Sequence, residues 1–430
     1  MYPRRKPTLF LLATLLVFSF LAIQPSSAKA QEEITFLVDS TEDLPDYAPG
    51  NSLCSANMNY GGPCTLRAAI DEANAYIPFK PVTILVPPGI YTLTMIPAVG
   101  HGISDGDLDI PTNGSTNLLS IKPTGALGEV VITTAPNFHD RILEIGEANV
   151  SISDIVFKGS NLVIAPYTDG GGAINNYGTL ELKRVKFTDN TVSCKPGENC
   201  LSEVVGGAIR NHGTLSIIDS SFIRNSADRG SAIFNAGGEN LIGISYSTFT
   251  QNTTSTIGNY SRISILNSTF SGGDIGIDND GELFLLSNTF ANFSETINNY
   301  PDNYIYAANN IFTTQSSQLF YDFEGDWLSG GYNIFSNDNW PGSYAAGDLP
   351  NTNPRLGILG YFGGPTLTHP LLKGSPAIDH RPGPCFLAPG PLNEDQRHFP
   401  RDDGKCDTGA YEHSGNFIKW IWLPAAIILK

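Results

Sequence analysis

Hydrophobic and polar positions recur along this chain in one repeated line. In GTLELKRVKFTDN (Gly178–Asn190), Leu180 and Leu182 stand seven and five residues before Phe187. The same apolar triplet returns as Val150/Ile152/Phe157, Leu215/Ile217/Phe222, Ile242/Ile244/Phe249, Ile263/Ile265/Phe270, Leu283/Leu285/Phe290 and Tyr304/Tyr306/Ile311. The last residues of these triplets fall 30, 35, 27, 21, 20 and 21 positions apart. Leu180 and Leu182 flank an outward Glu181, and this period of two predicts a strand. Val185 and Phe187 begin a second strand after a two-residue corner. No interval has room for a helix, so coils of about 20 residues built from short strands predict an all-β parallel β-helix, each coil burying its apolar side by stacking on its neighbours. Its hand is expected to be right-handed, as for parallel crossovers generally.

Three polar rows accompany the apolar one. Ser220, Ser247, Ser268, Asn288 and Asn309 precede the anchors by two and are expected to face inward and hydrogen-bond along the axis. Asn176, Asn211, Asn235, Asn259, Asn279 and Asn299 precede each repeat and suit a left-handed corner. Ser221, Thr248, Thr269 and Thr289 are expected to point outward, where a flat Thr row can order water or simply serve as strand residues.

Outside the repeats, Ile34–Ser40, Ile84–Val86 and Tyr91–Leu93 read as strands. CTLRAAIDEANA (Cys64–Ala75) reads as one amphipathic helix capped by Thr65, with Leu66, Ile70 and Ala73 on its apolar face. Laid across the first coil, it would cover an edge that otherwise recruits other chains. Residues 1–30 have a basic start (Arg4, Arg5, Lys6), an apolar run (Leu9–Ile23) and Ala28-Lys29-Ala30, the pattern of a cleaved secretory signal. Without it the chain has 21 basic and 42 acidic residues, a net charge of −21 that disfavours nucleic acid and anionic lipid as partners. In an exported chain the six cysteines pair by proximity into disulfides, Cys54 with Cys64, Cys194 with Cys200 and Cys385 with Cys406, each closing a short loop. The domains are then a signal (1–30), an N-terminal cap with the first coils (31–110), the repeats (111–335), a C-terminal cap (336–415) and an apolar tail (416–430) too short to span a bilayer.

Three blocks resemble known families. CTLRAAIDEANA, ILVPPGIYTLT and GDLDI, within Ile34–Ile110, are similar to the CSLREA-type N-terminal domain of bacterial surface proteins, with Thr-Leu-Arg-Ala where that family has Ser-Leu-Arg-Glu-Ala. GGAI at Gly171–Ile174 and Gly206–Ile209, with Phe187-x-x-Asn190, Phe222-x-x-Asn225 and Phe249-x-x-Asn252, resembles the repeats of polymorphic outer membrane proteins, which are adhesin-like β-helices. GGPT, GSPAID, DQR and CDTGAYE, between Pro354 and Glu412, resemble the choice-of-anchor Q domain that closes many bacterial β-helix surface proteins. The resemblances imply a secreted, monomeric, non-enzymatic protein of the cell surface whose partners are polysaccharides or surface proteins.

The alternative is a polysaccharide lyase or glycoside hydrolase on a pectin-lyase-like fold, since such a fold leaves the chemistry open. No catalytic residue is singled out. The acidic clusters are Asp274, Asp278 and Asp280, with no Lys or Arg nearby in the sequence, and Asp105, Asp107 and Asp109. Ca²⁺ is the one cofactor they suggest, and both lack the Gly and distal Glu of a dedicated calcium loop, so solvated turn carboxylates are the plainer reading. Arg210, His212 and Arg224 near Asp219 and Asp228 form a further charged group. His369, Asp379, Asp395, Arg397 and Glu412 are expected to bond the open backbone of the last coil.

Overall fold

A computed structural model describes residues 33–413 apart from 58–60, 78, 97–105, 112–116, 167–168, 201–203, 239–240, 315–318, 323–324 and 388–389. The signal segment, the apolar tail and Asp105 lie outside the described residues.

Alternation makes strands, and the strands stack into a right-handed parallel β-helix with three faces. The first face is an eleven-stranded parallel sheet, running from Ile34–Leu37 to Asp326–Gly331 and including Thr179–Lys183 and Thr214–Ile218. The second carries the phenylalanine anchors, for example Lys186–Thr188 and Ser221–Ile223, and the third carries Ile174–Asn176, Ile209–Asn211 and Ile233–Asn235. Leu180 pairs in register with Val150 and Leu215, and Leu182 with Ile152 and Ile217, so equal positions of successive coils lie over one another. Leu182, Ile217, Ile244, Ile265 and Leu285 all point into one buried core. Phe187, Phe222, Phe249, Phe270 and Phe290 form a column of parallel rings with centroids 4.5–4.8 Å apart.

The seventh repeat is shifted by one from its predicted register. Leu283 and Leu285 pair with Ile305 and Ala307, and Phe290 with Phe312, whereas Tyr304 and Tyr306 face outward beside Glu282 and Phe284. A one-residue slip reverses every side chain, and the structure takes the register that buries Ile305 and Phe312. The inward polar ladder therefore uses Asn310, not Asn309. Backbone N–H groups of Val185, Ser220, Ser247, Ser268, Asn288 and Asn310 donate in turn to the side chains of Ser220, Ser247, Ser268, Asn288, Asn310 and Asn333 at 2.8–3.2 Å. The repeat also runs one coil past Asn310, to Phe335, which stacks on Phe312.

The corners differ from expectation as well. Asn176, Asn211, Asn235, Asn259, Asn279 and Asn299 are buried strand ends whose amides donate from coil to coil at 2.7–3.2 Å. The left-handed residues lie three before each anchor: Asp154 (φ 58°), Arg184 (φ 53°), Asp219 (φ 56°), Tyr246 (φ 54°), Asn267 (φ 44°) and Ser287 (φ 54°). Each costs on the order of 1–2 kcal/mol in that conformation unless it is Gly, Asn or Asp. Each also donates its N–H to the next coil, as Arg184 does to Ile218 O (3.0 Å), which offsets the strain. At Gly213 and Gly281 a Cβ would stand 1.9 and 2.0 Å from a carbonyl oxygen of the preceding coil, so no side chain fits the third-to-first corner there.

The helix predicted as a plug spans Leu66–Tyr76. Thr65 Oγ1 accepts from Ala68 N–H at 3.0 Å, and Leu66 and Ile70 lie over Leu108, Ile121 and Ile132 of the first coils. At the other end Trp340 packs against Phe312, Phe320, Trp327 and Phe335.

All three disulfides form as paired by proximity: Cys54 with Cys64, Cys194 with Cys200, and Cys385 with Cys406. Two of them do more than close the short loops expected of them. Cys200 is buried with Leu162, Ile164 and Val192 in a small apolar cluster beside the main core. Cys406 is fully buried, and with Cys385 and Leu392 it packs on Ala308, which fastens the C-terminal segment to the coils. A disulfide sulfur is apolar enough to serve as core, and the spacing of the cysteines carried no sign of that second role.

The C-terminal segment is not an end cap. From about Phe362 to Glu412 it folds back along the second face as a lateral strap. Thr248 Oγ1 donates to Leu367 O (2.5 Å), Thr269 Oγ1 donates to Gln396 Oε1 (2.6 Å), and Thr289 Oγ1 accepts from Ala410 N–H (3.1 Å). The outward Thr row is thus a covered docking strip with almost no exposure, which overturns its reading as a water-ordering surface. His369 meets Ser271, Asp395 and Arg397 form a buried ion pair within the strap, and Arg401 Nη1 donates to Glu412 Oε2 at 2.7 Å.

One of these groups makes stability depend on pH. Burial, only partly countered by Arg401, pushes the Glu412 carboxyl up to about 8. Above the ordinary carboxylate range the unfolded chain releases this proton while the folded chain keeps it, so stability falls as pH rises toward 8. His398, held between Asp219 (2.6 Å) and Glu394 (3.0 Å), is raised by those carboxylates and acts in the same sense. His369 and His380, lowered by burial, act oppositely but only up to their ordinary value near 6.5. Through Glu412 alone the unfolding free energy is expected to drop by at most about 1.4 kcal/mol between pH 7 and 8. Glu412→Gln should flatten that dependence, as read by urea unfolding at each pH.

Candidate functional site

After Leu-x-Ile at Leu108–Ile110 and Leu143–Ile145, the third face carries from Ile174 onward the motif Ile-x-Asn. Its Ile points into the core and its Asn joins the ladder, so the middle residue points outward. Read along the axis, the outward row is Asp109, Glu144, Asn175, Arg210, Phe234, Gly258, Asp278 and Asn298, each in register with the next. A second row follows two residues later, at Tyr177, His212, Tyr260, Asp280 and Tyr300. The strap leaves this face uncovered, because it runs along the second.

The N-terminal end of the wall is acidic. Strand Leu108–Ile110 is fixed by the capping helix: Arg67, itself paired with the buried Asp43 (2.7 Å), donates to Gly106 O and Asp107 O, and Asn74 Nδ2 donates to Asp109 O (2.8 Å). Asp107, Asp109, Asp140 and Glu144 gather around one cation, Arg141. Arg141 donates to Glu144 Oε2, and its Nε lies 3.7 Å from Asp107 Oδ2. Burial first, then the neighbouring carboxylates, push Asp109 up to about 6 and Asp107 well above its ordinary range. Arg141 is held charged by the same carboxylates against burial.

Farther along, Asn175 Nδ2 donates to Glu144 Oε2 (3.2 Å) and to Tyr177 Oη (3.3 Å). Tyr177 donates to Asp169, which also pairs with Arg210 (2.7 Å). The Tyr177 and His212 rings stack at 4.8 Å, and burial with the Arg210 charge lowers His212. Arg229 lies 4.7 Å over the Tyr260 ring and 3.6 Å from Asp278, and Phe234 packs beside Tyr260 at 5.2 Å. Asn175 Oδ1, Arg210 Nε, Asp278 Oδ1 and Asn298 Oδ1 are all shielded and have no hydrogen-bond partner among the described residues. Buried polar atoms without partners are uncommon, and four of those among the described residues fall in this one row.

The sequence-predicted groups meet this wall only in part. Asp278 and Asp280 belong to it. Asp274 is exposed four strand residues before Asp278, about 13 Å away along an extended chain, so the three do not converge. Arg229 supplies the cation that the local sequence lacked. Among the described residues no three His, Cys, Asp or Glu side chains gather with metal-binding geometry. Arg210 and His212 are on the wall, whereas Arg224 pairs with Asp189 at another corner and Asp219 meets His398 of the strap. Arg141, Glu144, Asp169, Asn175, Tyr177 and Arg229 went unnoticed in the sequence. The signal for the row from Asn175 onward was the Ile-x-Asn spacing, whereas Asp109 and Glu144 lie in Leu-x-Ile strands that carried no such mark.

No family model matches the chain, and no curated protein does. Among solved structures, the crystal structure of pectate lyase Pel9A aligns over 90% of this chain and 97% of that one, at 15% identity and a TM-score of 0.41.

Proposed function

We propose that this is an exported cell-surface β-helix protein that binds polysaccharide along its third face, in keeping with the surface-protein resemblances of its N-terminal, repeat and C-terminal blocks. The observation that carries the reading is the outward row from Asp109 to Asn298, with its orphaned polar atoms and its flanking aromatic rings. Rings beside hydrogen-bonding groups suit the alternating apolar and hydroxylated surfaces of sugars. Coils about 4.8 Å apart repeat at close to the length of one sugar unit in an extended chain, so one glycan laid along the axis meets equivalent positions coil after coil. The strongly acidic surface favours uncharged glycans over polyanions. The signal-like N-terminus and three disulfides support an extracellular setting.

A glycan array probed with the chain from residue 31 onward tests this. Arg210→Ala removes a central donor and is expected to weaken binding at least about tenfold, or about 1.4 kcal/mol. Arg224→Ala, at a different corner, is expected to bind as the parent does. Equal loss in both variants, or binding that ignores both, would place the glycan elsewhere. A second reading, an enzyme acting on polysaccharide, is favoured by the elevated Asp107 and Asp109 carboxyls.

A further inference from the structure

We infer that the acidic end of the wall is a glycoside-hydrolysing centre in which Glu144 attacks the anomeric carbon and Asp109 supplies the proton to the departing oxygen. The inference rests on the wall being the seat of a polysaccharide, as proposed above.

Asp109 and Glu144 are direct partners on neighbouring parallel strands, and both point outward. Such strands lie about 4.8 Å apart, a spacing close to the separation of about 5–5.5 Å between the carboxyl groups of hydrolases that work through a covalent intermediate. Their surroundings set them apart. Glu144 Oε2 is held by Arg141 and by Asn175, a charge-assisted pair of bonds that fixes the carboxylate's orientation. Asp109 is bonded to neither. It faces Glu144 and Asp140, with Arg141 and Arg67 as the opposing cations. Its elevated carboxyl keeps a proton available near pH 6, as a general acid needs. Fully buried Asn175 offers a second, independent sign: its Oδ1 lacks a donor beside the very carboxylate its Nδ2 holds. A sugar hydroxyl supplies such a donor. The Tyr177–His212 stack lies one to two coils farther on, where the next sugar units of an axial chain would rest.

The reaction balances with water alone. Glu144 forms an ester to the anomeric carbon while the glycosidic C–O bond breaks and Asp109 protonates the leaving oxygen. Water then attacks the same carbon, Asp109 takes its proton, and the Glu144 ester bond breaks. The net change is one water added across one glycosidic bond, with retained configuration.

The test uses the chain from residue 31 onward with xylan, galactomannan and mixed-linkage β-glucan, measuring binding by affinity electrophoresis and turnover by reducing ends. The parent is expected to release reducing ends from at least one polysaccharide it binds. Asp109→Asn and Glu144→Gln should each cut that rate about 100-fold or more while leaving affinity within about threefold. Azide should restore turnover to Glu144→Ala and yield a glycosyl azide, a readout that requires a folded protein. Binding without release by the parent, or release that survives both substitutions, overturns the hydrolytic centre and leaves the binding wall standing. Failure of the parent to bind any of the three overturns the inference together with the reading beneath it.

Discussion

Phe249→Ala is expected to lower the unfolding free energy by about 3–5 kcal/mol. Phe249 is fully buried and stacks on both sides, on Phe222 at 4.7 Å and on Phe270 at 4.5 Å. Truncation therefore removes two ring contacts, each worth about 0.5–1.5 kcal/mol beyond its buried area, and opens a cavity that neighbouring coils cannot close. A coil contacts little besides its neighbours, so the loss weakens the solenoid in its middle. The control is Phe284→Ala. Phe284 faces outward on the first face, beside Tyr304 at 5.8 Å, and is expected to cost about 1 kcal/mol or less. Urea unfolding followed by tryptophan fluorescence separates the two. Equal, small costs would contradict a central column of inward rings.

Arg397→Met is expected to release the strap while the solenoid stays folded. The Arg397 side chain is wholly buried, pairs with Asp395 (2.6 Å), donates to Glu412 O (2.6 Å) and lies 3.6 Å over the Tyr411 ring. Removing the cation leaves the Asp395 carboxylate buried with its main partner gone, which costs about 3–5 kcal/mol. That cost falls on a segment attached to the coils by polar bonds to Thr248, Thr269, Thr289 and Asn267 and by apolar packing of Leu371, Ala377, Leu392, Cys406 and Tyr411 on Ala308, Ile311 and Ile334. Hydrogen exchange should rise in the Thr248–Thr250 strand and around Asp395–Glu412, with Leu215–Ile217 unchanged. Global unfolding in place of local release would mean that the strap is integral to the core. Persistence of full protection would mean that the pair contributes little.

The capping helix shows how much was legible locally. Thr65, the Leu66/Ile70/Ala73 stripe and the adjacent Cys64 specify a short capped helix wherever it docks, and it docks as the stripe demands. The seventh repeat shows the opposite. Tyr304/Tyr306/Ile311 and Ile305/Ala307/Phe312 are both acceptable alternating patterns, and only the pull of Phe290 on Phe312 chooses between them. The Thr row was legible as outward but not as covered, because its cover arrives from more than a hundred residues later, as Thr248 and Leu367 illustrate. The acidic centre was hidden for the same reason. Asp109, Glu144 and Asn175 are separated by about thirty residues at each step and become neighbours only when coils stack.

By itself the sequence determined the coil: which residues face inward, where the chain turns often enough to exclude helices, which cysteines pair and what closes the first coil. These follow from local periodicity, which any short stretch carries within itself. The tertiary structure alone decided the register of the last coils, the burial of Cys200 and Cys406, the lateral course of the C-terminal strap and the gathering of carboxylates, arginines and rings on the third face. Those outcomes depend on which distant residues come to lie a strand's width apart, and stacking sets that distance whatever their separation along the chain.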